Sequence, residues 1–152
     1  MLPPDSPAPD FKLPDQDGHE VCLGDLLRGD GLVLYFYPAD FTPVCTAEAC
    51  LFRDRHGELL AAGYTLAGVS PQRPESHARF RERHNLSFAL LSDPQQDVIA
   101  AYQARGLFGI GVRRATYFVR PDRTIGDAVQ ADLGLGPHNR FVTALLARTA
   151  ER

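Results

Sequence analysis

Residues 31–50, "GLVLYFYPADFTPVCTAEAC", contain a strand, a loop and the start of a helix, and this stretch decides the fold. The first part, "GLVLYFYP", is an unbroken apolar run that ends at Pro38, which is typical of a strand buried on both faces. Over residues 44–62 apolar side chains recur at helical spacing. Cys45 and Cys50 lie near the start of this helix. The stretch therefore predicts a central strand followed by a helix with a cysteine in its first turn.

The rest of the chain alternates between strands and helices. "YTLAGVS" and "SFALLSD" predict buried strands, and helices are predicted in "PESHARFRERHN", "PQQDVIAAYQA" and "PHNRFVTALLART". "FKLPDQDGHEVCL" and "ATYFVRPDRTIGDAVQ" each predict a hairpin. This order indicates an α/β domain with a mixed sheet between helices. No linker composition interrupts residues 1–152, so we expect one domain.

Composition and charge exclude several classes of function. The net charge of -3 argues against nucleic acid as a partner, because a phosphate binder needs clustered positive charge. No apolar run approaches the ~18 residues that a membrane span requires. The N-terminal "MLPPDSPAPDF" lacks the basic start and apolar segment of a secretory signal. We therefore expect no membrane partner and a cytoplasmic location, where a cysteine pair is more often catalytic than structural.

Three roles are open to the C-x4-C pair. Zinc binding is disfavoured because the spacing differs from C-x2-C, Cys22 is distant, and no histidine pair completes a set of ligands. A structural disulfide is disfavoured because five helical steps separate the α-carbons of Cys45 and Cys50 by about 8.7 Å. A disulfide tolerates about 7 Å at most. The pair can be bonded or helical but not both, which favours redox chemistry.

The start of the helix favours a reactive thiolate at Cys45. Backbone N–H groups without partners and the positive end of the helix dipole both stabilise an anion in the first turn. Thr42 is a candidate N-cap that would also place a hydroxyl beside the sulfur. Pro38 and Pro43 stiffen the loop that leads into the helix. Cys50, one and a half turns later, is the candidate resolving thiol.

These residues form a recognisable motif. "YPADFTPVC" contains P-x3-T-x2-C as Pro38, Thr42 and Cys45, and it closely resembles the active-site motif of peroxiredoxins. "CTAEACLFRDR" is similar to the atypical subgroup with both cysteines on one helix, the Q type or bacterioferritin comigratory protein. "DQDG", "LAGVSPQ" and "FALLSD" occur in similar order and spacing, so the resemblance covers nearly the whole chain. It implies a thioredoxin-like fold with a central mixed sheet, flanking helices and an N-terminal hairpin, and a peroxidase without cofactor or metal.

The resemblance also points to charged residues outside the motif. The family has an arginine just before a late strand, and in "GVRRATYFV" the register places Arg114 on the catalytic side and Arg113 on the other. A guanidinium beside Cys45 would stabilise the thiolate and polarise a peroxide, although an Arg–Arg pair also fits a solvated strand end. Glu48 matches an acid of the subgroup. It either orients the arginine or adds a favourable charge to the first helical turn.

The resemblance implies a full catalytic cycle. The Cys45 thiolate attacks hydrogen peroxide or an organic hydroperoxide and becomes a sulfenic acid. Cys50 then forms an intramolecular disulfide with it, which thioredoxin or a glutaredoxin-like dithiol protein reduces. Two alternatives remain: a thiol-disulfide oxidoreductase on the same fold, which normally relies on C-x-x-C, and a redox-sensing binding module that is oxidised about once. No cysteine follows Cys50, so a monomer or weak dimer is expected.

The remaining cysteine and three histidines are expected to be structural. Cys22 lies in the apolar strand pattern "VCL" and is expected to be a small core residue. His56, His77 and His84 lie on predicted helices among polar neighbours and are expected to face solvent. Arg53 is expected to form a surface ion pair.

Overall fold

The computed structural model describes residues 1–150, and a five-stranded mixed sheet forms its centre. The strands are β1 (Lys12–Pro14), β2 (Glu20–Cys22), β3 (Gly31–Phe36), β4 (Tyr64–Ser70), β5 (Ala89–Ser92), β6 (Ala115–Val119) and β7 (Ile125–Gln130). The α-helices are α1 (Leu23–Leu26), α2 (Pro43–Ala61), α3 (Pro74–His84), α4 (Asp97–Ala101) and α5 (Gly136–Ala150). The predicted α/β architecture with its N-terminal hairpin, β1 and β2, is confirmed. Two short elements, α1 and a 3-10 turn at Leu107–Gly109, were not predicted from the sequence.

The central strand of the sheet is β3, and the strand order is β5-β4-β3-β6-β7. β4 is parallel to β3, and β5 is parallel to β4. β6 is antiparallel to β3, and β7 is antiparallel to β6. The register pairs Phe36, the last residue of β3, with Ala115, the first residue of β6. The residue before β6, Arg114, is thereby brought to the end of β3 from which the chain enters α2.

Alternate side chains of β3 enter two different hydrophobic cores. Leu34 and Phe36 pack on the face covered by the N-terminal hairpin and α4, whereas Val33 and Tyr35 pack on the face covered by α2, α3 and α5. Successive side chains of a strand point to opposite faces, so a strand covered on both sides is apolar throughout. Every residue of β3 is buried, which explains its unbroken apolar sequence.

Both cysteines of the C-x4-C pair lie on α2, a continuous helix of 19 residues. It begins at Pro43, one residue before the predicted start. Proline fits the first helical position because the N–H at that position has no helical partner. No helix of the described residues is long and apolar enough to cross a membrane.

Candidate active site

Cys45 lies in the first turn of α2, three residues after the N-cap residue Thr42. Its side chain is buried, with 1% exposure, and its thiol is free. Cys50 is also a free thiol and is partly buried. The first-turn N–H groups and the helix dipole favour an anion at this place. The sulfur of Cys45 is therefore a buried group in surroundings that stabilise its negatively charged form.

A guanidinium contacts the sulfur of Cys45. Arg114 donates a hydrogen bond from Nη1 to Cys45 Sγ at 3.0 Å, and the arginine is buried. Asp132 fixes the backbone of this residue, because its Oδ1 accepts from the Arg114 N–H at 2.9 Å. The side chain of Arg113 points away and pairs with Asp132 Oδ2 at 3.2 Å near the surface. Arg114, and not Arg113, therefore supplies the positive charge at the cysteine.

Glu48 lies fully buried against Arg114, almost one turn after Cys45. Its Oε1 accepts a hydrogen bond from Arg114 Nη1 at 3.4 Å, whereas Oε2 has no hydrogen-bond partner among residues 1–150. Burial raises the pKa of Glu48 to about 7, and the attraction of Arg114 offsets only part of that effect. One guanidinium thus faces two acids that compete for it, Cys45 and Glu48. The contact between Glu48 and Arg114 fits an orienting role rather than a first-turn charge, since the described first turn of α2 holds no acid.

His138 completes this buried cluster and was not predicted from the sequence. It lies in α5 with Nε2 at 2.9 Å from the Ala131 carbonyl and 3.7 Å from Glu48 Oε2. A carbonyl can only accept, so Nε2 carries the proton, and Nδ1 accepts from the Thr116 hydroxyl at 2.8 Å. Burial lowers the pKa of His138, which keeps the ring neutral. One feature of the sequence indicated that His138 is buried: it precedes Phe141 by three residues, so the two lie on the same face of a predicted helix.

Thr42 occupies the N-cap position of α2, but its side chain makes no capping hydrogen bond. Its hydroxyl instead donates to the Ala39 carbonyl at 3.3 Å. The expectation that this side chain caps the helix is therefore wrong, because the hydroxyl turns back toward the preceding loop. Thr42 is exposed.

A cleft of about 510 Å³ opens beside Arg114. Its polar side includes Arg114 and Asp132, and its apolar side is formed by Pro38, Leu107, Ile110 and Val112. Leu107 and Ile110 are 76% and 78% exposed, which is unusual for large apolar side chains. The cleft therefore places apolar side chains beside the guanidinium that contacts Cys45, although Cys45 and Thr42 are not among the residues that line it.

Comparison with known proteins decides the family. Residues 4–128 match the AhpC/TSA family. This chain belongs to the AhpC/TSA family. It is 42% identical to peroxiredoxin Bcp of Bacillus subtilis over 118 residues, which are 74% of each chain. It is a peroxiredoxin, and hence a thiol-dependent peroxidase.

Two solved structures share the fold of this peroxiredoxin over almost its whole length. Peroxidoxin BcpB of Mycobacterium tuberculosis superposes with a TM-score of 0.89 and 34% identity, over 97% of this chain and 98% of that chain. The bacterioferritin comigratory protein of Xanthomonas campestris, studied for its alkyl peroxide reduction activity, gives a TM-score of 0.80 at 27% identity. That match covers 93% of this chain and 90% of the other. Both names support the Bcp or Q subgroup that the sequence motif indicates.

Two histidines of this peroxiredoxin are buried, so the expectation of solvated rings is wrong for them. His77 is fully buried with Nδ1 at 2.8 Å from Asp40 Oδ2. His56 is 8% exposed, and its Nδ1 lies 2.6 Å from Ser87 Oγ. Burial lowers the pKa of His56. A helix of polar sequence still has one face toward the core. A histidine can lie on that face where another element supplies a hydrogen-bond partner.

Cys22 of this peroxiredoxin is partly buried rather than a core residue, which corrects the expectation from its apolar neighbours. It ends β2, none of whose residues is fully buried, and its N–H donates to Asp25 Oδ2 at 2.9 Å. Arg53 forms the expected surface ion pair with Asp54 at 3.0 Å. The same guanidinium donates to the His84 carbonyl at 2.8 Å and thereby joins α2 to α3.

Proposed function

We propose that Cys45 is the peroxidatic cysteine and Cys50 the resolving cysteine of a cycle completed within one chain. The observation that carries this proposal is the 3.0 Å hydrogen bond from Arg114 to the buried sulfur of Cys45 in the first turn of a helix. A fixed cation and free backbone N–H groups both favour the thiolate, which is the nucleophilic form. Cys50 is the second thiol of the same helix, which supports its role as the partner.

The proposed chemistry has three steps. The Cys45 thiolate attacks one oxygen of a peroxide, the O–O bond breaks, and the leaving oxygen takes a proton to become water or an alcohol. The sulfenic acid of Cys45 then condenses with the Cys50 thiol, which forms the disulfide and releases water. An external dithiol reduces this disulfide to two thiols and is itself oxidised to a disulfide.

The surrounding residues have separate roles in this proposal. Arg114 donates to the peroxide oxygens and stabilises the charge that develops on the leaving oxygen, whereas the Thr42 oxygen, whose proton is donated to Ala39, accepts from the peroxide O–H. Glu48 holds the Arg114 guanidinium through the 3.4 Å contact. Pro38 closes the apolar side of the cleft and fixes the backbone between β3 and the active-site loop.

The proposed substrates are hydrogen peroxide and organic hydroperoxides. The apolar wall beside Arg114 supports the second class, as does the alkyl peroxide reduction activity studied in the X. campestris relative. Thioredoxin or a glutaredoxin-like protein is the proposed reductant. The proposal also takes residues 1–152 as one domain that acts as a monomer or weak dimer, in the reducing cytoplasm.

The decisive assay measures NADPH consumption with thioredoxin, thioredoxin reductase and either hydrogen peroxide or an alkyl hydroperoxide. Wild type should turn over many times, whereas a sensor would consume about one equivalent and a pure disulfide oxidoreductase would not consume peroxide. Cys45→Ser should lower the rate below about a tenth of wild type, because a hydroxyl offers no comparable nucleophile. Activity above that level would disprove the role of Cys45.

The variant Cys50→Ser distinguishes the roles of the two cysteines. We expect Cys45 in this variant to stop at the sulfenic acid, which dimedone traps and mass spectrometry detects, with little turnover by thioredoxin. If oxidised wild type is instead a disulfide-linked dimer, Cys50 is not an intramolecular resolving thiol.

A further inference from the structure

A second buried polar cluster lies outside the cysteine site and joins the active-site loop to α3. Asp40 belongs to the loop between β3 and α2, and His77 belongs to α3. Both side chains are 0% exposed, and Nδ1 of the histidine lies 2.8 Å from Oδ2 of the aspartate. Placing these groups in the interior costs free energy unless every polar atom is paired. Packing alone therefore does not explain why this pair is buried.

The Asp40 carboxylate accepts hydrogen bonds from three side chains. Tyr37 OH donates to Oδ1 at 2.7 Å, and Ser76 Oγ donates to Oδ2 at 2.7 Å. The third donor is Nδ1–H of His77, whose Nε2 lies 3.3 Å from the Ser70 hydroxyl and 3.2 Å from the Leu91 carbonyl in β5. Two of these bonds reach Oδ2 and one reaches Oδ1, and the donors come from α3 and from the residue that follows β3.

The loop that Asp40 belongs to is strained. Phe41, the next residue, has a positive φ of 66°, a conformation that non-glycine residues rarely adopt. Its ring packs edge-on against Phe80 of α3 at 5.1 Å. A strained backbone persists only where its surroundings fix it, and here the fixed carboxylate of Asp40 immediately precedes the strained residue.

This strained segment determines where the Thr42 hydroxyl lies. That hydroxyl donates to the Ala39 carbonyl at 3.3 Å, so its orientation depends on the backbone on either side of Asp40. The Thr42 carbonyl in turn accepts from the Thr46 N–H at 2.8 Å in the first turn around Cys45. A displacement of Asp40 would therefore move both the hydroxyl and the helix start.

We propose that Asp40 and His77 are positioning residues for peroxide reduction, because they hold the loop that presents Thr42 and the first turn of α2 to the substrate. Neither residue touches the peroxide. The inference rests on the proposed roles of Cys45 and Thr42. A displacement of about 1 Å in an active site can lower a rate by about two orders of magnitude, so loss of the anchor should reduce the rate of Cys45 oxidation.

The test compares His77→Ala with His77→Asn and with a matched control. Rapid quenching with mass spectrometry gives the second-order rate constant for oxidation of Cys45 by hydrogen peroxide. We expect His77→Ala to lower it about tenfold, and His77→Asn, whose amide N–H can replace Nδ1–H as a donor to Asp40, to recover most of the loss. His56→Ala removes another buried helix histidine with a side-chain partner and should stay within about twofold of wild type.

A purely structural role makes a different prediction. It would lower the rate only in proportion to the unfolded fraction, which circular dichroism measures on each variant. Our proposal instead expects kcat/KM for the peroxide to fall while kcat/KM for thioredoxin is unchanged. A folded His77→Ala protein with a wild-type rate, or an equal loss in His56→Ala, would overturn the proposal.

Milder variants keep the test decisive if His77→Ala does not fold. Tyr37→Phe and Ser76→Ala each remove one donor to Asp40, and each should slow the peroxide step about threefold. Wild-type rates in both variants would overturn the proposal. Cys45→Ser is measured in the same experiment, because residual peroxide consumption in it would disprove the proposed function and not the positioning role.

Discussion

Arg114 donates a hydrogen bond to the sulfur of Cys45 at 3.0 Å, although 69 positions separate the two residues in the sequence. The contact exists because β6 pairs with β3, so that the residue before β6 lies at the end of β3 from which the active-site loop leaves. The positive end of the α2 dipole and a buried guanidinium thus act on one sulfur atom.

Arg114→Met should slow the oxidation of Cys45 by peroxide about a hundredfold, since it removes a donor aimed at the developing charge. Arg113→Met is the matched control, because this neighbour pairs with Asp132 at the surface. A larger loss in the Arg113 variant would show that Arg113, and not Arg114, has the catalytic role.

Glu48 should make the protein less stable as the pH rises. Its pKa is raised from 4.5 to about 7 by burial, so between these values the folded state binds more protons than the unfolded state. The free energy of unfolding should therefore fall from pH 4.5 to pH 7, by up to about 3 kcal/mol. Urea unfolding of the reduced protein at pH 5 and pH 8 measures this loss.

Glu48→Gln should remove most of that pH dependence, because the amide does not titrate in this range. Glu58→Gln is the control, since Glu58 lies on the same helix with a 58% exposed side chain. It should retain the pH dependence of wild type. Equal pH dependence in all three proteins would show that Glu48 does not titrate as described.

Disulfide formation should unwind the first turns of α2. The α-carbons of Cys45 and Cys50 are about 8.7 Å apart in a regular helix, and a disulfide needs about 7 Å or less. The helix should remain formed after residue 51, because Phe52 is fully buried and stacks on Tyr35 at 4.4 Å. Amide hydrogen exchange should thus increase at residues 45–50 of the oxidised protein and change little at residues 53–61.

Peroxide-treated Cys50→Ser is the control for this exchange experiment, since it cannot form the disulfide. Its residues 45–50 should exchange as slowly as those of the reduced protein. Equal protection in reduced and oxidised wild type, with the intramolecular disulfide confirmed by mass spectrometry, would contradict unwinding.

Gly57→Ala should stabilise the protein by about 0.5–1 kcal/mol without changing the peroxidase rate. Gly57 lies in the interior of α2, and a Cβ placed there would meet no atom within 4 Å. Gly68→Ala provides the contrast, because its Cβ would lie 2.8 Å from the ring of the buried Tyr35. Urea unfolding should show a gain for the first variant and a loss for the second.

Local patterns in the sequence were sufficient to predict the order of the main elements and the position of the cysteines. The unbroken apolar run before Pro38 predicted β3, and helical spacing predicted α2 to within one residue at each end. Pro43 and Cys45 at the helix start lie two positions apart in the chain, so no long-range contact was needed to recognise them. The motif then predicted the family, which the comparison with known proteins confirmed.

Only the tertiary structure decided how the charged and polar groups are paired. Arg114 contacts Cys45 because of strand pairing, and Glu48 acquires its raised pKa because folding buries it, an effect that Arg114 offsets only in part. His77 lies on a helix of polar sequence and is nevertheless buried, since its partner Asp40 comes from a loop 37 positions away. The cost of burying a polar group depends on the atoms that meet it after folding. Sequence periodicity contains no information about those atoms, whereas the backbone preferences of a strand or a helix start are local.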